Sequence, residues 1–128
     1  MLNGGNMHEL NVTESILEIA LRYGRAAGAE RVTDLYLVIG ELASIVDESV
    51  QFYWDIISEG TLASGSTLHF RRIPGQFHCG ACDRTYFAVE GLTCPACGGY
   101  DIQIIAGEEL YIESMEITHA GEPELQPT

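Results

Sequence analysis

Two helices on a small mixed α/β (α+β) sheet, with a four-cysteine ribbon inserted into it, is the fold class this sequence predicts. Three observations point there. All four cysteines fall in two C-x-x-C pairs, Cys79-Gly80-Ala81-Cys82 and Cys94-Pro95-Ala96-Cys97, separated by eleven residues. Two segments ahead of them carry apolar residues at helical period. β-rich stretches lie before, between and after these features, and the last of them is too long and apolar for a ribbon to cover.

The first helix is expected over about Glu14–Ala27. Ile16, Ile19, Ala20, Tyr23 and Ala27 recur at helical spacing, widened by Leu17, Leu21 and Gly24, and Glu14, Glu18, Arg22 and Arg25 fill the other face. Asn11 or Thr13 can cap its start and Gly28 can stop it. Thr33–Leu42 alternates apolar residues on both faces, which predicts a strand covered on both sides, with Gly40 loosening its end. Asp47-Glu48 places acid where a second helix wants it, and Val50, Tyr53, Trp54 and Ile57, joined by Phe52 and Ile56, carry that helix to about Glu59. Trp54 reads as a core anchor. Thr67–Ile73 is the next strand, and strand, helix and strand in this order form a crossover.

Pro74-Gly75 marks the entry to the ribbon. Gln76–His78 and Arg84–Val89 pair as a hairpin, and Ile102–Ile105 adds a third short strand. Each C-x-x-C closes a knuckle whose two thiolates face one ion, with Gly80, Gly98 and Gly99 as permissive backbone. Four thiolates leave no position open for water or substrate, so the spacing predicts a structural zinc site of Cys79, Cys82, Cys94 and Cys97. Two disulfides, a rubredoxin-like iron centre and a thioredoxin-type redox pair are the competing uses of the same spacing. Glu108–Thr118 is expected to return to the first sheet. The domains expected are therefore 1–73 plus 107–118 as one α/β domain, 74–106 as the ribbon, and 119–128 as a flexible polar tail.

Charge narrows the function. Nineteen Asp or Glu stand against six Arg and no Lys, a formal −13 over 128 residues. Many zinc ribbons bind nucleic acid, but that requires a basic face, and this chain would repel phosphates. An acidic surface suits a cationic partner or a metal ion as cargo. No apolar run approaches the ~20 residues a membrane span needs, and no signal peptide is evident at the start of the sequence; the cytoplasm is the expected compartment. There is no phosphate loop, no G-x-S-x-G and no H-E-x-x-H, so the chain does not read as an enzyme.

Met7-His8-Glu9-Leu10 carries further chemistry. A histidine beside deprotonatable backbone amides can wrap Ni(II) or Cu(II) in a square plane of nitrogens, although a lone histidine near a terminus is more often solvated.

Met-His-Glu-Leu, Val12-Thr13-Glu14-Ser15-Ile16-Leu17, Val38-Ile39-Gly40-Glu41-Leu42, Phe52, the paired C-x-x-C motifs and Gly107-Glu108-Glu109-Leu110 together resemble the HypA/HybF family of nickel metallochaperones in [NiFe]-hydrogenase maturation. The resemblance runs from Met7 to about Ile117. It implies nickel at Met7 (through its backbone), His8 and Glu9, structural zinc on the four cysteines, and the nickel GTPase HypB and the hydrogenase large subunit as partners. Asp47 stands where some members carry an acidic residue linked to nickel; a helix-start acid is its simpler reading. In the family the Met of Met-His-Glu is the first residue and offers its α-amine. Here Met1–Asn6 precede it, and the expected start of translation is Met7. A zinc-ribbon adaptor working only through protein contacts is the alternative function. Of the other histidines, His69 reads as a strand-face residue, His78 as a neighbour of Cys79 that supports the metal ligands from outside or is simply solvated, and His119 as lying at the tail junction.

Overall fold

The structure is a computed structural model that describes residues 4–119, with side chains from residue 8 onward. Residues 1–3 and most of the expected tail, 120–128, lie outside the described residues. The elements are α1 (Gly4–Ala26), β1 (Ala29–Gly40), a 3-10 turn (Glu41–Ala43), α2 (Asp47–Ile57), β2 (Thr67–Ile73), β3 (Gln76–Cys79), β4 (Thr85–Phe87), a second 3-10 turn (Ala88–Glu90), β5 (Ile102–Ala106) and β6 (Leu110–His119). They form two sheets, ordered β2-β1-β6 and β4-β3-β5. The chain divides into two compact units, Met1–Leu37 with Ile45–Phe70 and Ile112–Thr128, and Val38–Ser44 with Arg71–Tyr111.

In the first unit α1 and α2 pack on one another. The last β-rich stretch does return past the cysteines, as β6 beside β1. Trp54 is wholly buried, and its indole N–H donates to Ser66 Oγ at 2.9 Å, while that hydroxyl donates to Ala63 O at 2.6 Å. A ring so placed anchors a core, since its removal costs about 3–5 kcal/mol. Gly24 lets α1 approach closely: a Cβ there would lie 3.0 Å from Leu62 and 3.2 Å from Val32.

Several expectations need correction. Helix α1 starts ten residues before Glu14, so neither Asn11 nor Thr13 caps it. Thr13 is buried mid-helix, and its hydroxyl donates to Glu9 O at 2.5 Å, four residues back. The buried stripe is Glu9, Thr13, Ile16, Ala20 and Gly24, leaving Tyr23 63% exposed. Hydrophobic period does not mark this stripe, because two of its members, Glu9 and Thr13, are polar. In α2 the core takes Val50 and Trp54, while Phe52 and Ile56, one turn apart, face outward. That helix is also shorter than expected, ending at Ile57 with Ser58 as its C-cap.

Strand β1 begins four residues earlier than expected and is buried continuously from Leu37 to Gly40, as a strand covered on both faces should be. Gly40 does not loosen its end. In the second unit its N–H donates to Glu109 O at 2.7 Å, and a Cβ on it would collide with the carbonyl group of Gly107. Gly107, at φ +109°, and Gly75 meet in the same place, against Leu42. Leu42 N–H donates to Gly107 O at 2.7 Å, and Gly75 N–H to Glu41 Oε1 at 2.7 Å. Three backbones converge there without room for side chains.

Gly40→Ala is therefore expected to destabilise the protein by about 1–3 kcal/mol or more, the range for overpacking a filled site. A urea unfolding midpoint equal to that of the unsubstituted protein would show that the backbones separate at little cost.

Candidate metal centre

The ribbon owns a very small core. Phe77, Cys79, Tyr86 and Cys94 are its buried residues, with Leu42, Ala88 and Ile102 packed against them. Strand β3 pairs antiparallel with β4, Phe77 opposite Tyr86, and antiparallel with β5, Phe77 opposite Ile104. The Phe77 and Tyr86 rings meet edge to face at 5.6 Å, and Tyr86 donates its hydroxyl to Leu92 O at 3.2 Å. Two aromatic rings and two sulfurs do not hold three short strands together in water without further support.

The two knuckles are built alike. Asp83 N–H donates to Cys79 O at 2.8 Å and Cys79 N–H to Arg84 O at 2.8 Å. Gly98 N–H donates to Cys94 O at 2.7 Å and Cys94 N–H to Gly99 O at 3.1 Å. Each loop needs a left-handed residue four positions after its first cysteine. Gly98 fills it in one knuckle (φ +72°) and Asp83 in the other (φ +64°). Aspartate is among the side chains that tolerate this conformation. Gly80 and Gly99 serve differently from expectation: a Cβ on Gly80 would strike the Asp101 carboxylate, and one on Gly99 would stand 3.2 Å from Cys97 Sγ.

All four Sγ atoms lie within 4.8 Å of one another. Cys79 and Cys97 sulfurs are 3.7 Å apart, and those of Cys82 and Cys94 are 3.5 Å apart. A disulfide would bring sulfurs to about 2.05 Å, so the cysteines are free thiols in this geometry. A tetrahedral ion with bonds of about 2.3 Å to sulfur sets neighbouring sulfurs about 3.8 Å apart, close to what is seen. The donor set therefore fits one thiophilic metal ion with four ligands and no open position.

One of the four thiols, Cys94, is polarised toward that use. Backbone N–H of Cys97, then of Ala96, aimed at the Cys94 sulfur, lower its pKa to about 6 against the effect of burial. Its neighbour Cys82 is pushed up to about 12, first by its hydrogen bond to Cys94 and then by desolvation.

The Met7-His8-Glu9 segment lies in the first turns of α1. His8 is exposed, whereas Glu9 is only 3% exposed and its Oε2 accepts the Val46 N–H at 2.8 Å. Among the described residues the cysteines are the one group of three or more His, Cys, Asp or Glu side chains whose metal-binding atoms lie this close. Asp47 is the first residue of α2. Each remaining histidine has a structural partner. His69 stacks on Tyr36 with centroids 4.4 Å apart and pairs with Asp34 at 2.8 Å, holding that carboxyl below its usual range. His78 Nε2 sits 3.0 Å from Asp83 Oδ1, a pair of little energetic weight because the carboxylate is largely exposed. His119 Nε2 lies 3.1 Å from Ala27 O, beyond the end of α1. Sequence reasoning missed Asp83 and the buried role of Glu9. For Glu9 the signal existed, since it continues the spacing of Thr13, Ile16 and Ala20 one turn back.

These features define a two-unit α/β protein with a four-thiolate metal ribbon. A family model described as HypA, hydrogenase/urease nickel incorporation metallochaperone, matches residues 7–117. The chain is 41% identical over 112 residues to a hydrogenase maturation factor HypA of Dehalococcoides mccartyi, covering 87% of this chain and 94% of that one. It is 39% identical over 116 residues to the factor of the same name from Geobacter sulfurreducens, covering 87% and 99%. The solution structure of the Ni metallochaperone HypA from Helicobacter pylori shares the fold at a TM-score of 0.63 and 18% identity, covering 87% of this chain and 97% of that one. The chain belongs to the HypA family.

Metal uptake by the ribbon must displace thiol protons, so affinity rises with pH. Cys82 stays protonated throughout the neutral range in the metal-free protein, and one displaced proton contributes about tenfold in affinity per pH unit. Zn(II) competition against a chelator should therefore show at least that slope between pH 6.5 and 8. A flat profile would mean that the thiols are not the ligands.

Proposed function

We propose that this chain is a nickel metallochaperone, not an enzyme: it takes up Ni(II) at Met7, His8 and Glu9 and hands it on for [NiFe]-hydrogenase maturation, while Zn(II) on Cys79, Cys82, Cys94 and Cys97 holds the ribbon together. The observation that carries this reading is the extent of the family match, which begins at Met7 and spans both the Met-His-Glu segment and all four cysteines. The relatives' names, hydrogenase maturation factor, supply the destination of the nickel. The partners that follow from the reading are the nickel GTPase HypB and the hydrogenase large subunit. A site of free thiols suits the reducing cytoplasm.

Zinc in such a site is structural, its binding energy being folding energy for a module whose own core is so small. The nickel is cargo. The exposed His8 imidazole is its first landing point, and nitrogens of the adjoining backbone complete a square plane of the kind Ni(II) prefers. On this reading the α/β unit carries nickel and the ribbon carries zinc.

Two experiments test the assignment. Cys94→Ala should release zinc and disorder roughly residues 76–106, leaving the helical circular dichroism of α1 and α2 largely intact. Full zinc content with a native ribbon would contradict the structural role. His8→Ala should abolish a yellow, diamagnetic four-coordinate Ni(II) species and leave zinc unchanged. If the Met7 α-amine is a ligand, protein beginning at Met7 should bind nickel more tightly than the 128-residue form. An amine with a pKa near 8 gives up its proton at pH 7 for about 1.4 kcal/mol, far less than an amide requires. Equal calorimetric affinities would show that the amine takes no part.

A further inference from the structure

The Glu9 carboxylate is the buried charged group of α1, and its partner is unusual. Helix α2 begins without a capping side chain of its own, because its N-cap residue is Val46. Val46 O accepts from Ser49 N–H and Val50 N–H, both at 3.1 Å, so the backbone of Val46 is the start of that helix. Its own N–H is met by Glu9 Oε2 at 2.8 Å, from 37 residues away in sequence. In a capping box this bond comes from a glutamate at the third helical position, reaching back to the N-cap N–H. Here that position is Ser49, and a glutamate on α1 does the work instead. Its negative charge also lies at the positive end of α2.

The same residue adjoins the nickel segment. With α1 beginning at Gly4, helical geometry sets the N–H groups of His8 and Glu9 opposite the carbonyls of Gly4 and Gly5. An amide nitrogen engaged in that way is not available to a metal. Coordination by the backbone around His8 therefore requires the first turns of α1 to unwind, and the unwinding segment ends on Glu9, a side chain anchored to α2.

We infer that Glu9 acts as a latch and not as a carboxylate ligand: its hydrogen bond to the Val46 N–H holds the Met7-His8-Glu9 turn helical, and nickel uptake breaks that bond and uncaps α2. The inference rests on the nickel reading proposed above. It makes Glu9 a positioning residue that opposes loading, and it makes the N-terminus of α2 report whether nickel is bound.

The test uses the zinc-loaded full chain with Ni(II) alone as probe, comparing unsubstituted protein, Glu9→Ala, Glu9→Gln and His8→Ala. Amide hydrogen exchange at Val46 and nickel affinity are both measured. In the metal-free state Glu9→Ala should speed Val46 exchange at least tenfold, while Glu9→Gln, which keeps an acceptor oxygen, stays close to the unsubstituted protein. Nickel should speed Val46 exchange in the unsubstituted protein but not in His8→Ala. Nickel affinity should rise severalfold in Glu9→Ala, since the opposing bond is gone. A tenfold loss of affinity in both Glu9 variants would make the carboxylate a ligand and overturn the latch. So would Val46 exchange that Glu9→Ala leaves unchanged, or that nickel leaves unchanged. Failure of the nickel reading shows differently, as His8→Ala binding nickel like the unsubstituted protein. The metal-free exchange rates judge the Glu9–Val46 bond in either case.

Discussion

Four sulfur atoms within 4.8 Å of one another are the constraint on which the second unit depends. Thiolates repel, and thiols at these distances gain only weak hydrogen bonds, so packing has little to offer in return for bringing them together. Two near-identical knuckles do so nonetheless, each closing its backbone on its own first cysteine. The strands they join are short, and their shared core is little more than Phe77 against Tyr86. A structure that invests this much geometry in four sulfurs is organised around a cation. The backbone N–H groups that lower the pKa of Cys94 act in the same direction, by holding negative charge in place for it.

Elsewhere the polar groups inside the fold tie one element to another. Trp54 is fixed through Ser66, and Glu9 is fixed on the first residue of the α2 cap. A buried carboxylate is costly unless hydrogen-bonded, and Glu9 meets that requirement by supplying an acceptor that Val46 cannot. The two helices of the first unit are thereby joined by a directional bond as well as by packing. On the latch proposed above, remodelling the start of α1 is felt at the start of α2 through this one bond.

A net charge of −13 repels a phosphate backbone and favours cations, whether metal ions or basic protein surfaces. His69, His78 and His119 are each taken up by Asp34, Asp83 and the Ala27 carbonyl, whereas the His8 side chain lies exposed at the helical start.

The sequence by itself determined the four cysteines as a metal set, the two helices, the ribbon strands and the return of β6 to the first sheet. Each of these is written locally, in spacing, period or an apolar run too long to leave uncovered. What it left undecided depends on contacts between distant residues. That Gly40 is needed for close approach and not for looseness follows only once Gly75 and Gly107 are brought beside it. That Phe52 and Ile56 face outward follows from which side of α2 meets α1, a choice that hydrophobicity alone does not make. That Glu9 caps a helix 37 residues away was beyond any local pattern, because a buried charge announces itself only through the partner that tertiary structure supplies.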